Sequence, residues 1–268
     1  MKNLFFLFLF AITTLTFTSC ETEQPWQTLF NGENLDGWET WVGPLEEGGE
    51  TVGLNKDPLN LFSVIDLEGE KVIRILGEVN ASLATKEEFG NYHLTMEFKW
   101  GDEVFKTFNS GLLYHSYGDF GVGLGVWMSS HELQMKTGSI GDSYRMGKSY
   151  CEIQMNKNDE GKLVYSKDGE TQPSIPATET RVIGKDADYE KTHGEWNTVE
   201  LYCYGGSSVH VVNGNVNMVN HKSGKYLGEG NIEALTKGKI QFQSEGGELF
   251  IRSINIKPIK EIPPALLQ

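Results

Sequence analysis

The chain has 268 residues, with 37 acidic and 23 basic side chains and a formal net charge of −14 at pH 7. A protein this acidic gains nothing from neutralising phosphates, so the composition argues against nucleic acid as a partner. It suits neutral ligands such as sugars, although an acidic surface can also serve only solubility.

Residues 1–20 have the pattern of an export signal. Lys2 supplies the positive start, residues 4–12 are apolar, and the phrase that ends at Cys20 is typical of a bacterial lipoprotein cleavage box. Cys20 is therefore predicted to be the lipidated first mature residue, with residues 21–26 as a tether; a plain signal peptide cut elsewhere is the alternative. The apolar run is too short to span a membrane. We expect an exported lipoprotein, periplasmic or on the outer-membrane surface, that touches the membrane only through its lipid.

Residues 27–260 have the pattern of one β domain. Apolar and polar residues alternate with a period of two over residues 92–100 and again over residues 198–204. Asn213-Gly214 is a strong hairpin signal between two further strand patterns. With 31 glycines and no amphipathic helix of ordinary length, the sequence predicts an all-β, antiparallel sandwich.

Other stretches have weaker patterns. Residues 159–191 are polar and contain proline, which indicates a long loop. Short helices could begin near Thr85 or Asn231. Cys151 and Cys203 lie in apolar strand patterns; export permits a disulfide between them, and buried free thiols are the alternative. No cysteine or histidine spacing fits a structural zinc site.

Two short segments carry most of the polar residues that could do chemistry. On a strand, Glu132, Gln134 and Lys136 share one face. Leu113 and His115 share a face of an earlier strand. Carboxylate, amide and imidazole groups can bind sugar hydroxyls, ligate a divalent metal or move protons. The alternatives are a solvated strand face for the first group and a structural role for the histidine.

Several phrases, in order along the chain, resemble one family. They are Leu29–Trp38, Phe89–Leu94 with Glu97, Asn109–Gly111, Glu132–Gln134, Gly194–Asn197, Asn213-Gly214, and Ile240–Gly246 followed by Arg252. Over residues 26–258 the chain is similar to the 3-keto-disaccharide hydrolase domain family. The resemblance implies a concanavalin A-like jelly roll of two antiparallel sheets, with the site on the concave sheet.

The resemblance also implies a chemistry. Family members act on glycosides that are already oxidised at C3 of the sugar, where the ketone acidifies the C2 hydrogen. A base removes that proton and the aglycone leaves from C1, by elimination or, after water adds, by net hydrolysis. Some members use a divalent metal to hold the ketone and stabilise the enolate. This route needs one base and one electrophile, and the sequence has no paired-carboxylate strand of the kind that sandwich glucanases carry.

Carried over to this sequence, the resemblance implies Glu132 as base or metal ligand. His115 stands where many relatives have arginine, and it is predicted to be a metal ligand or a proton carrier. The predicted substrate contacts are Gln134, Lys86, Glu245, Asp142, Trp127 and Tyr114. The expected partner is an oligosaccharide or 3-keto-glycoside, with a divalent metal of unspecified identity as the cofactor.

Two other functions are compatible with the sequence. One is a non-catalytic carbohydrate-binding module, since the same fold makes lectins. Trp41, Trp127, Tyr114 and Tyr144 could provide aromatic surfaces for it. The other is an ordinary glycoside hydrolase that acts on unoxidised sugars.

Overall fold

The structure, a computed structural model, describes residues 24–267, which fold almost entirely into β-strands. The strands are β1 (Gln27–Thr28), β2 (Trp38–Pro44), β3 (Thr51–Leu54), β4 (Phe62–Leu67), β5 (Glu70–Ile75), β6 (Ala81–Thr85), β7 (Tyr92–Val104), β8 (Gly111–Tyr117), β9 (Ser129–Gln134), β10 (Ser143–Met146), β11 (Ser149–Lys157), β12 (Leu163–Tyr165), β13 (Glu170–Ser174), β14 (Val182–Ile183), β15 (Asn197–Tyr204), β16 (Ser207–Val212), β17 (Asn215–Tyr226), β18 (Ile232–Ala234), β19 (Lys239–Ser244) and β20 (Gly247–Pro258). Within residues 24–267, helix is limited to two short 3-10 turns, Glu179–Arg181 and Pro264–Leu266.

The strands form two antiparallel sheets, which we call the back sheet and the front sheet. The back sheet has the order β12-β11-β17-β16-β15-β7-β20-β5-β4, with β1, β13 and β18 paired at β20, β11 and β17. The front sheet has the order β14-β10-β9-β8-β19-β6-β2-β3. This is the jelly-roll sandwich that the sequence predicts.

The main hydrophobic core lies between the two sheets. From the back sheet, the alternation in β7 buries Leu94, Met96 and Phe98 completely. From the front sheet, Leu112 and Phe242 join the same cluster. Because successive side chains of a strand point to opposite faces, the chain neighbours of Leu112 and Phe242 point to the outer face of the front sheet.

The hairpin prediction is confirmed, and three local predictions need correction. Asn213 and Gly214 have φ values of +49° and +81°, as a tight turn between β16 and β17 requires. No helix begins near Thr85, which ends β6, or near Asn231, which precedes β18. Residues 159–191 are not a plain loop, because β12 and β13 both pair with β11 and so satisfy their backbone groups.

Cys151 and Cys203 are buried and free. The predicted signal peptide, the lipidated Cys20 and residues 21–23 of the predicted tether lie outside the described residues, so export and lipidation stay predictions. Between residues 24 and 267, the structure contains no helix that is long and apolar enough to cross a membrane.

Candidate active site

Cross-strand register aligns two rows of side chains on the outer face of the front sheet. Residues in register on neighbouring strands share a face, so each row is continuous across the strands. The first row is Glu39, Ala84, Gln241, Leu113, Glu132 and Tyr144. The second is Trp41, Ser82, Gln243, Gly111 and Gln134. The sheet therefore gathers residues from distant parts of the sequence into one polar surface.

A loop, residues 118–128, covers the middle of this surface. Val126 and Trp127 are buried there against Leu113 and Met146. The indole Nε1 of Trp127 donates a hydrogen bond to the carbonyl oxygen of Ala81 at 3.1 Å, which anchors the loop to β6. Beside the loop, a cavity of about 520 Å³ remains open. Its lining residues are Asn109, Val122, Gly123, Leu124, Trp127, Glu132, Gln134, Lys136, Tyr144, Met146, Gly147, Arg181, Gln243 and Glu245.

Gly111 makes room for the polar floor of this cavity. A Cβ atom at this position would lie 2.4 Å from Oε1 of Glu132 and 2.4 Å from Oε1 of Gln243. No real Cβ contact is that short, so both side chains can lean over residue 111 only because it is glycine. This accounts for the glycine of the Asn109-Ser-Gly111 phrase.

Two oxygen atoms in the floor have no partner within the described part of the chain. Oδ1 of Asn109 and Oε1 of Gln243 are buried and accept no hydrogen bond. The hydroxyl of Ser110, which follows Asn109 in the sequence, donates a hydrogen bond to the carbonyl oxygen of Gln243 at 2.7 Å and so ties the two segments together. Buried acceptors without partners are rare in folded proteins. They indicate a ligand that brings its own donors, as sugar hydroxyls do.

The two acids of the cavity have unusual protonation. Glu132 is only 2% exposed, and its burial, with the nearby charge of Glu245, raises its pKa to about 8. Arg181 and Arg145 act in the opposite direction on that pKa. Burial likewise raises the pKa of Glu245 to about 7, against the influence of Lys106 and Lys136. Both carboxyl groups therefore exchange protons near neutral pH, as acid–base catalysts do.

The side chain of Gln134 is held in place by the backbone of the two residues that follow it. Its Oε1 accepts hydrogen bonds from the N–H groups of Met135 at 2.8 Å and Lys136 at 2.9 Å, just beyond the end of β9. The side chain is therefore fixed at the edge of the cavity. Its neighbour Lys136 also lines the cavity, so the row predicted from the alternation along β9 reaches the site intact.

The structure places His115 away from this cavity, so the prediction that it shares a face with Leu113 is wrong. A shift of register between Tyr114 and Tyr117, with a φ of +48° at His115, turns the imidazole to the inner face. The ring lies against the rings of Tyr92, Tyr114 and His131. Burial there lowers its pKa to about 4, so it is neutral at pH 7.

Three of the predicted substrate contacts also lie elsewhere. Tyr114 is buried between the sheets, where its hydroxyl meets Ser208 at 2.8 Å and His210 at 3.0 Å. Asp142 accepts a hydrogen bond from the N–H of Lys185 and lines a neighbouring cavity of about 370 Å³. Lys86 is exposed on a third cavity, of about 260 Å³. Only Glu132, Gln134, Glu245 and Trp127 of the predicted set come together.

The predicted metal ligands do not come together. His115 and Glu132 point to opposite faces of the front sheet, and in residues 24–267 no group of three or more histidine, cysteine, aspartate or glutamate side chains could hold a metal ion. The residues present therefore do not provide the predicted site.

Arg181 is the functional candidate that the sequence pattern misses. It is the last residue of a 3-10 turn inside the stretch predicted as a loop, and its Nε donates to the carbonyl oxygen of Arg145 at 3.2 Å. The turn is capped by Thr178, and its Thr180 accepts a hydrogen bond from Ser174 of β13. Only this folding of residues 159–191 brings the guanidinium to the cavity, so no local signal could have found it.

The chain is similar to one protein family and to several solved structures. The sequence model of the 3-keto-alpha-glucoside-1,2-lyase-like domain matches residues 25–257. No curated protein matches the chain. Among solved structures, a protein from Parabacteroides distasonis that is provisionally assigned as a glycosyl hydrolase is 20% identical, with a TM-score of 0.50 over 88% of this chain and 100% of that chain.

Two further solved structures are similar to this chain. A second provisionally assigned glycosyl hydrolase from the same organism is 18% identical, with a TM-score of 0.49 over 88% of this chain and 94% of that chain. The carbohydrate-binding module CBM66 from Bacillus subtilis is 7% identical, with a TM-score of 0.43 over 82% of this chain and 95% of that chain.

Proposed function

Because the chain belongs to the 3-keto-alpha-glucoside-1,2-lyase-like domain family, and so is a carbohydrate-active domain, we propose that it cleaves 3-keto-glycosides by C2 proton abstraction and loss of the aglycone from C1. One observation carries the proposal. Glu132, which is buried, and Glu245, which is partly buried, have pKa values raised toward neutral pH, and they line the same cavity as the unpartnered acceptors of Asn109 and Gln243. Together these groups can bind hydroxyls and transfer protons.

In the proposed reaction Glu132 is the base. Its carboxylate takes the C2 proton, and the electron pair of the C–H bond passes to the C3 oxygen as an enolate. When the enolate collapses, a C1–C2 double bond forms and the C1–O bond to the aglycone breaks. The departing oxygen takes up the proton that Glu132 removed from C2, which returns Glu132 to its carboxylate form. Addition of water to the double bond makes the net reaction a hydrolysis.

The enolate needs positive charge close to the C3 oxygen. Arg181 and Lys136 line the cavity, and within residues 24–267 neither makes an ion pair of the kind found elsewhere on the molecule. Their positive charges could therefore act on a bound ligand. Placed where charge develops, such groups stabilise the transition state far more than the ground state. We assign them the electrophilic role.

The direct test is turnover of a 3-keto-disaccharide by the wild-type chain and by Glu132→Gln. The wild type should release the free sugar and exchange the C2 hydrogen with deuterated solvent. Glu132→Gln should lose both activities by about 10³-fold or more while keeping its circular dichroism spectrum, because an amide cannot accept the proton. Binding without turnover by the wild type would instead indicate a lectin-like module.

The structure also favours one alternative. Two carboxyl groups in one cavity are the equipment of an ordinary glycosidase, in which one acid protonates the leaving oxygen and the other attacks or activates water. No strand pattern in the sequence indicates such a pair, and only the fold brings Glu132 and Glu245 to one cavity. Cleavage of an unoxidised disaccharide at a rate equal to that of its 3-keto form would favour this alternative.

A further inference from the structure

The cavity has two chemically unlike sides. Its floor is polar and consists of side chains from the front sheet, among them Asn109, Glu132 and Gln243. Its rim is apolar and consists of Val122, Leu124 and Met146, which we call the apolar rim. A ligand that fills both sides must itself have a polar part and an apolar part.

The apolar rim is a built feature of the loop. The N–H of Gly121 donates to Val126 at 3.0 Å, that of Val122 to Trp127 at 2.9 Å, and that of Val126 to Gly123 at 2.8 Å. A Cβ at Gly123 would lie 2.2 Å from Sδ of Met146, so the loop backbone rests directly on that side chain. The loop therefore holds its tip in a fixed position over the cavity.

At this tip the loop exposes two aliphatic side chains. Leu124 is 70% exposed and Val122 is 48% exposed. Single exposed leucines are ordinary, but here two aliphatic side chains stand together at the mouth of one cavity. Leu124 also has a φ of +46°, a conformation that is uncommon for a bulky residue. A glycine or asparagine would adopt this backbone conformation at a lower free-energy cost. The leucine at this position therefore indicates a role for its side chain.

We infer that the substrate carries an apolar, aryl aglycone, which packs on the apolar rim while the sugar occupies the polar floor. The inference rests on the proposed function and names its substrate class. A second sugar would bring hydroxyls that need hydrogen-bond partners, and the valine and leucine side chains of the rim have none to offer. A flat aromatic aglycone needs only apolar contact.

Affinity is the proper measurement, because a phenol leaves more easily than a sugar and would raise the rate without any contact to the rim. Dissociation constants should be measured by calorimetry for 3-keto phenyl glucoside, 3-keto methyl glucoside and a 3-keto-disaccharide, in a Glu132→Gln background that prevents turnover. The phenyl glucoside should bind about tenfold or more tightly than the other two, since the ring removes apolar surface from water.

Leu124→Asn should bring the three affinities to within about threefold of one another, because asparagine keeps the backbone conformation and removes the apolar contact. Leu227→Asn is the matched control, since Leu227 is 59% exposed and lies outside the cavity lining; it should keep the tenfold preference. Equal affinities in the protein that keeps Leu124, or a tenfold preference that persists in Leu124→Asn, would overturn this inference and leave the proposed function standing. Failure of every 3-keto-glycoside to bind would overturn the proposed function itself.

Discussion

Glu132, on β9, and Glu245, in the short connection between β19 and β20, line the same cavity, although β8 lies between β9 and β19 in the sheet. Gly111 of β8 has no side chain, and Oε1 of Glu132 lies within 2.4 Å of the position that a Cβ atom would take there. The negative charge of Glu245 then adds to burial in raising the pKa of Glu132 to about 8. A carboxylate with so high a pKa is a much stronger base than an exposed glutamate, as removal of a proton from carbon requires.

This relationship predicts opposite pH shifts for two variants. If Glu132 must be ionised, kcat/KM rises with pH through the pKa of Glu132, about 8, and levels off above it. Glu245→Gln removes a negative neighbour, so the rise should move to lower pH; Arg181→Gln removes a positive one, so it should move to higher pH. The measurement is the pH profile of kcat/KM, which reports the free enzyme. Shifts in the same direction would rule out Glu132 as the titrating base.

The gap at Gly111 predicts a loss of function without a loss of fold. In Gly111→Ala the new methyl group must displace the ends of Glu132 and Gln243, which are flexible side chains rather than backbone. We expect kcat/KM to fall about 10²-fold, the size of effect that small misplacements of reacting groups produce. The melting temperature should change by only a few degrees.

Gly206→Ala is the matched control for this change. A Cβ at Gly206 has no contact shorter than 3.6 Å, and its backbone lies outside the left-handed region. Kinetics of the two purified variants should therefore differ sharply. Full activity in Gly111→Ala would mean that the positions of Glu132 and Gln243 do not matter to turnover.

The sequence predicts the parts of the site that depend on strand alternation alone. Glu132 and Gln134 share a face because the period of two continues unbroken along β9. Applied to β8, the same rule puts Tyr114 on the face opposite Leu113, which is why the predicted substrate contact at Tyr114 is wrong. His115 breaks the rule because an irregularity in β8 depends on tertiary pairing. Arg181 reaches the cavity only through the packing of residues 159–191, which leaves no periodic signal.

His115 provides a test of the inner-face placement. In His115→Asn the residue keeps a side chain that tolerates positive φ and loses a ring that no residue of the cavity contacts. We expect kcat/KM per folded molecule within about threefold of wild type, with reduced thermal stability from the lost packing. A loss of activity above tenfold in folded protein would restore the proton-carrying role predicted from the sequence.

Lipidation at Cys20 predicts a change of location that needs no knowledge of the substrate. The wild-type chain should take up labelled palmitate and sediment with the membrane fraction of its host. Cys20→Ser removes the thiol that carries the lipid, so the label should be lost and the protein should become extractable without detergent. Uptake of label by the serine variant would show that Cys20 is not the modified residue.

Ionisation of Glu132 also predicts a trade of stability for function. Its pKa is about 8 in the folded chain and near 4.5 in the unfolded chain, so between these values the folded state holds the extra proton and unfolding becomes easier as the pH rises. The free energy of unfolding therefore falls by about 1.4 kcal/mol per pH unit across this window.

Glu132→Gln has no carboxyl group at this position and escapes that loss. Its free energy of unfolding should exceed that of wild type by an amount that grows by about 2–4 kcal/mol from pH 5 to pH 8. Urea titrations of both proteins at each pH measure this difference, and because the buried histidines are common to both, their titration cancels. A difference that stays constant with pH would show that Glu132 ionises normally in the folded protein.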